Sequence, residues 1–184
     1  MNQLATWAAA VIMTLTASTK VERLRSETEA EMQARYTSIG TDLETALRRV
    51  EPLFPNDENR HKTASLVLAI AFFESGFIKS VDAGNRRGDN GGSYCLMQIH
   101  TGNGRVGYGP EEMRAWTGKD LAEDRTKCFA AGVEALRISI RACGVGTDGR
   151  ALNVYAAGKC EQSSKAAKDR WSFATRILNK FPME

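Results

Sequence analysis

Residues 66–100 read LVLAIAFFESGFIKSVDAGNRRGDNGGSYCLMQIH, and the fold turns on this stretch. It opens with a run from Leu66 to Phe73 that is apolar at every position. A helix apolar all round has no face for water, so it belongs at the centre of a domain. Gly76 supplies its stop. A polar loop over residues 79–93, rich in Gly, Asn, Asp and Arg, leaves room for a short hairpin, and YCLMQI then turns apolar as a strand or the lead-in to a helix. The carboxylate of the opening segment, Glu74, falls at the C-terminal end of the helix. Desolvation and the negative end of the helix dipole both disfavour its ionised form. A carboxyl that keeps its proton near neutrality is therefore expected, and glycosidic cleavage needs one because the leaving oxygen must be protonated as its bond breaks. The residues alone leave a blander reading open, in which Glu74 emerges into solvent or pairs with one of the arginines that follow.

Working outward, Ile39, Leu43, Leu47 and Val50 recur at helical spacing ahead of Pro52 and Pro55. Phe129, Val133, Leu136, Ile140 and Cys143 form the inward stripe of a long helix that ends at Gly144, with Asp120 and Glu123 expected to cap it. ALNVYAAG reads as a short apolar helix, and KAAKDRWSFATRILNKF as a closing amphipathic one. The expected fold class is mainly α, a helical domain over residues 36–184 around a buried central helix, with a small irregular hairpin or loop region. Residues 1–35 read as separate from it. LATWAAAVIMTLTAS has the length of a signal-peptide apolar region rather than of a membrane span, although MNQ before it lacks Lys and Arg. It is either removed after Ser18 or kept as a helix touching a membrane or a protein assembly through residues 1–20. The charged KVERLRSETEAEMQAR that follows reads as a linker or solvated helix.

With 184 residues, 42% of them apolar and 26% charged, the composition is that of one globular domain. The formal charge of +3 is mild and scattered, which argues against nucleic acid as a partner. Cys95, Cys128, Cys143 and Cys160 make no CxxC pair and the chain has only His61 and His100, so neither a metal centre nor a cofactor is expected. DAGNRRGDNGG lacks the ligand spacing of a calcium loop. The even cysteine count permits two disulfides in any of the three pairings, or free thiols in a reducing compartment.

ESGF, CLMQI and NVYAAG, in that order, resemble the lysozyme-like superfamily of goose-type lysozymes and bacterial soluble lytic transglycosylases. Those proteins carry Glu-Ser on a buried helix, then Gly-Leu-Met-Gln-Ile, then Tyr-Asn-Ala-Gly. The likeness spans residues 37–180. It implies an α+β lysozyme-like fold and an enzyme that cleaves the β-1,4 bond between N-acetylmuramic acid and N-acetylglucosamine in peptidoglycan glycan strands. Carried over by position, it makes Glu74 the catalytic acid and then the base, and makes Ser75 a substrate-binding residue hydrogen-bonded beside it. Met97 and Gln98 would line the glycan cleft, and Tyr155 would reach toward acid and sugar. Gly88 and Asp89 look like the Gly-Asp of the goose-type loop, which makes Asp89 a second catalytic candidate that positions water, with Asp82 also available. A lytic transglycosylase needs one acid/base residue, since the 6-hydroxyl of the sugar closes an anhydro ring, and this chemistry is favoured over lysozyme-type hydrolysis.

The chain departs from the pattern in three places. Cys95 stands for Gly, Ala156 for Asn and its amide contact, and His100 for a further aspartate that an imidazole cannot replace as a base of similar strength. A cysteine at position 95 suggests a bridge to Cys128, tying the LMQI segment to the long helix, with Cys143 to Cys160 tying the end of that helix to the turn after YAAG. Such bridges fit export to the periplasm or exterior, or association with a virion. Tyr108 and Trp116 are candidates for stacking on sugar rings or for the core. Arg86 and Arg87 are candidates for peptide-stem carboxylates or plain solvated loop residues. Two rival readings are a non-catalytic wall-binding or structural part of a secretion machine or phage particle, and a chitin hydrolase.

Overall fold

In a computed structural model, which describes residues 3–17, 27–144, 146, 149–160 and 164–183, the chain begins with helices α1 (Gln3–Thr16), α2 (Glu29–Arg49), α3 (His61–Ser75) and α4 (Lys79–Asp82). An antiparallel hairpin follows, β1 (Ser93–Tyr94) on β2 (Ile99–His100), with Ser93 opposite His100. Then come α5 (Glu111–Ala115), α6 (Gly118–Glu123), α7 (Arg125–Cys143), α8 (Asn153–Ala157) and α9 (Lys165–Lys180). The molecule is mainly helical with a small hairpin, as its periodicities predict.

The apolar run forms the heart of α3. Every residue from Thr63 to Ala71 is buried, and the helix packs on α1, α7 and α9. Gly76 ends it at φ 56°, a left-handed conformation that costs glycine little, and its N–H donates to the Phe72 carbonyl at 2.9 Å.

The N-terminal part differs from its reading. Thr28 and Glu31 form a capping box that starts α2 at Glu29, and Met32 and Tyr36 already face the core. A boundary at residue 36 therefore falls inside a helix. Leu4, Trp7, Ala8, Val11 and Ile12 of α1 join the same buried cluster as α2 and α3. α1 approaches closely because Gly40 lacks a side chain, and a Cβ there would lie 2.4 Å from the Ala5 carbonyl oxygen. Glu44 accepts the Ala5 N–H at 3.1 Å, and the Trp7 indole donates to the Phe181 carbonyl at 2.8 Å. The cleavage site after Ser18 and residues 20–26 of the charged linker lie outside the described residues. Among those described, no helix is long and apolar enough to cross a membrane.

The cap of the long helix is also reassigned. Thr117 and Asp120 form a capping box for the short α6, of which Glu123 is the last residue. Asp124 caps α7 by accepting the N–H groups of Thr126 and Lys127. The bridges are Cys95–Cys128 and Cys143–Cys160, the pairing expected from their positions. Both are compatible with an exported protein.

Candidate active site

The three motif segments meet at one groove of about 580 Å³. Glu74 enters it from the end of α3, Gln98 from the hairpin, Tyr155 and Ala156 from α8, and Arg170 from α9. Tyr155 joins two of the segments, since its phenol donates to the Met97 carbonyl at 2.6 Å. The Tyr155 N–H donates to Ser139 Oγ at 3.2 Å, and that hydroxyl donates to the Ala151 carbonyl at 2.7 Å, which fixes α8 on α7. Burial, and then the nearby charge of Glu74, hold the Tyr155 phenol well above its ordinary pKa, so it stays a neutral donor.

The hairpin tip is bent by residues in the left-handed region, Cys95 at φ 62° and Gln98 at φ 47°. Cys95 thus stands where a glycine would be unstrained, held there by its bridge to Cys128. Gln98 Nε2 donates back to the Cys95 carbonyl at 2.9 Å, so the amide braces the turn from the groove wall.

Two expected groove residues are elsewhere. Met97 is fully buried and packs on α7, where a Cβ at Gly132 would lie 2.6 Å from its Cε. It contributes a carbonyl to the site and no side chain to the cleft. Ser75 is buried too, and its hydroxyl donates to the Ala71 carbonyl at 2.7 Å and accepts the Phe77 N–H at 3.2 Å. It shapes the turn behind Glu74 and makes no hydrogen bond to the carboxylate.

Among the other candidates, Asp89 lines the groove from an exposed turn at φ 47°, with Oδ2 accepting the Ser93 hydroxyl at 2.5 Å. Asp82 is buried among arginines away from the groove lining. His100 and Ala156, two of the departures from the pattern the sequence resembles, both line the groove. So does Tyr108, whose phenol donates to the Ala131 carbonyl at 3.2 Å and is pushed up by burial and then by Glu134. Trp116 packs half-buried against the core, with Lys127 over its ring at 5.7 Å. Arg86 and Arg87 are exposed loop residues, Arg87 lying 4.8 Å from the Tyr94 ring centroid.

The partner of Glu74 comes from the far end of the chain. Arg170 Nη2 donates to Glu74 Oε1 at 2.7 Å and Nη1 to the Ala166 carbonyl at 3.1 Å, with the guanidinium 5.3 Å from the Phe73 ring centroid. Sequence reasoning missed it, because a single arginine on an amphipathic helix carries no local signal. Against protein-family models, curated proteins and solved structures, the chain finds no match. Its chemistry is therefore read from the groove itself.

Proposed function

We propose that this protein cleaves the β-1,4 bond between N-acetylmuramic acid and N-acetylglucosamine in peptidoglycan, as a lytic transglycosylase rather than a hydrolytic lysozyme. The supporting observation is that Glu74, at the end of the buried apolar helix, opens into a groove whose walls are the other two motif segments. Ile138, Val154 and the tyrosines offer apolar surface to sugar rings, while Gln98 and the glycine-rich loop offer polar groups to hydroxyls and amides. In the first step the Glu74 carboxyl gives its proton to the bridging oxygen as the bond from that oxygen to the muramyl C1 breaks. In the second the Glu74 carboxylate takes the proton of the muramyl 6-hydroxyl as that oxygen bonds to C1, which closes the anhydro ring and restores the acid. Single-acid chemistry is favoured because Asp82 is held by two arginines and Asp89 accepts from Ser93. No cofactor enters either step.

One observation favours the rival reading. A carboxylate already neutralised by Arg170 suits a wall-binding or structural protein that keeps the fold without the activity. Digestion of purified sacculi, followed by mass spectrometry of the soluble fragments, separates the two. Anhydromuramyl ends are expected, reducing ends would mean hydrolysis, and sacculus binding with no fragments released would favour the rival.

A further inference from the structure

The ion pair at the head of the groove is lopsided. A guanidinium offers Nε–H and a neighbouring Nη–H as a fork that matches the two oxygens of a carboxylate. Arg170 gives Glu74 one hydrogen bond, from Nη2, and its buried Nε has no partner among the described residues. The side chain is 15% exposed and lines the groove. Among the described groove-lining residues it is the only arginine or lysine. In the proposed reaction Glu74 must turn to a glycosidic oxygen and carry a proton, which would leave Arg170 as a partly buried cation without its counter-ion. Such a charge is costly unless another anion replaces the one lost.

The geometry points to Arg170 as a specificity-determining residue that binds a carboxylate of the substrate, so that the incoming anion takes over the guanidinium and frees Glu74 to act as the acid. This rests on reading the protein as an enzyme of muramyl glycans. The muramyl sugar differs from N-acetylglucosamine by a lactyl ether that ends in a carboxylate, or in a peptide stem that carries carboxylates. Arg170 would therefore distinguish peptidoglycan from a neutral chitin chain of the same backbone. Once Glu74 turns away, Nε–H and Nη2–H together form the bidentate edge that a carboxylate fits.

The test is calorimetric binding by the full-length Glu74→Gln protein, in which the guanidinium has lost its anionic partner. Three ligands of equal length are compared: a chitooligosaccharide, a muramyl–glucosaminyl oligomer stripped of its stems, and the same oligomer with stems. Affinity for the acid-bearing oligomers should exceed that for the neutral one about ten- to hundredfold, the range of a charge-assisted hydrogen bond. Adding Arg170→Gln should abolish that preference, while Arg170→Lys keeps the charge without the fork and retains part of it. Tight binding of the stripped oligomer identifies the lactyl carboxylate, and tight binding only with stems identifies the peptide. Equal affinities in Glu74→Gln, or a preference that survives Arg170→Gln, overturn the assignment. Should Arg170→Gln fail to fold, the Glu74→Gln comparison decides alone. Cleavage of sacculi by the wild type without any such preference sinks the role of Arg170 and leaves the proposed activity standing.

Discussion

Asp82 and Glu74 are both carboxylates beside arginines, on either side of the turn at Gly76, and their surroundings differ in a telling way. Asp82 is enclosed, with its side chain 2% exposed. Arg125 donates to it through Nε at 2.6 Å and Nη2 at 2.8 Å, and Arg35 through Nη1 at 3.4 Å. Those arginines have further anchors, Arg125 on Ser38 and Asp42 and Arg35 on Glu27. Burial opposes the charge on Arg35, but Glu27 and Asp82 outweigh it and raise its pKa. Glu74 is 21% exposed, faces a groove, and has one bond from one arginine whose Nε is unmatched. A saturated network holds three helices in register and has no capacity left for chemistry. A half-filled pair at a groove can exchange partners.

Breaking the saturated side should give the largest stability loss. Asp82→Asn leaves two arginines short of an anion and should cost about 3–5 kcal/mol in denaturant unfolding, with activity per folded molecule retained. Loss of activity at unchanged stability would instead make Asp82 catalytic and erase the contrast. The groove wall is probed through its bridge, since Cys95 and Cys128 close a loop of sequence separation 33. Replacing both with Ala should cost about 3–4 kcal/mol. Cys95→Gly with Cys128→Ala should recover about 1 kcal/mol of that, because position 95 sits at φ 62°. No difference between the two doubles would show that backbone conformation at the hairpin tip is unimportant.

The smallest effect lies on the α1 side. His61 stacks edge-on against Trp7 at 4.7 Å and its Nε2 lies 3.1 Å from the Phe181 carbonyl. Burial lowers its pKa from the ordinary 6.5, against smaller opposing effects of the Phe181 carbonyl and Asp57. The unfolded chain then binds this proton more readily than the folded one. Stability is therefore full above the ordinary value and falls as the pH drops through it toward the folded pKa. A melting curve followed by tryptophan fluorescence should lose no more than about 3 °C over that window, and His61→Asn should flatten it. A rise in melting temperature on acidification through the same window would contradict the sign.

What could be read from the residues follows a physical divide. The apolar run of α3, its Gly76 stop and the stripe of α7 are legible because periodicity carries them, whereas cysteine count and spacing leave all three disulfide pairings open. Likeness alone points Met97 and Ser75 into the cleft. Their directions are set by left-handed turns at Cys95, Gln98, Gly76 and Phe77 that no periodicity describes. α1 looked detachable because its docking depends on the missing Cβ of Gly40 on another helix. Arg170 was illegible for a similar reason, since it reaches Glu74 across a sequence separation of 96. The apolar run that leads to the acid is written next to it in the chain, while its counter-charge is written at the other end.

The most direct measurement compares release of soluble fragments from purified sacculi by the wild type and by Glu74→Gln at matched folded concentration, with circular dichroism and thermal melting confirming both folds. The account predicts a loss of about a hundredfold to ten-thousandfold, the share a positioned general acid supplies. Equal release by a folded Glu74→Gln protein would contradict it, because no proton from that side chain would then be needed.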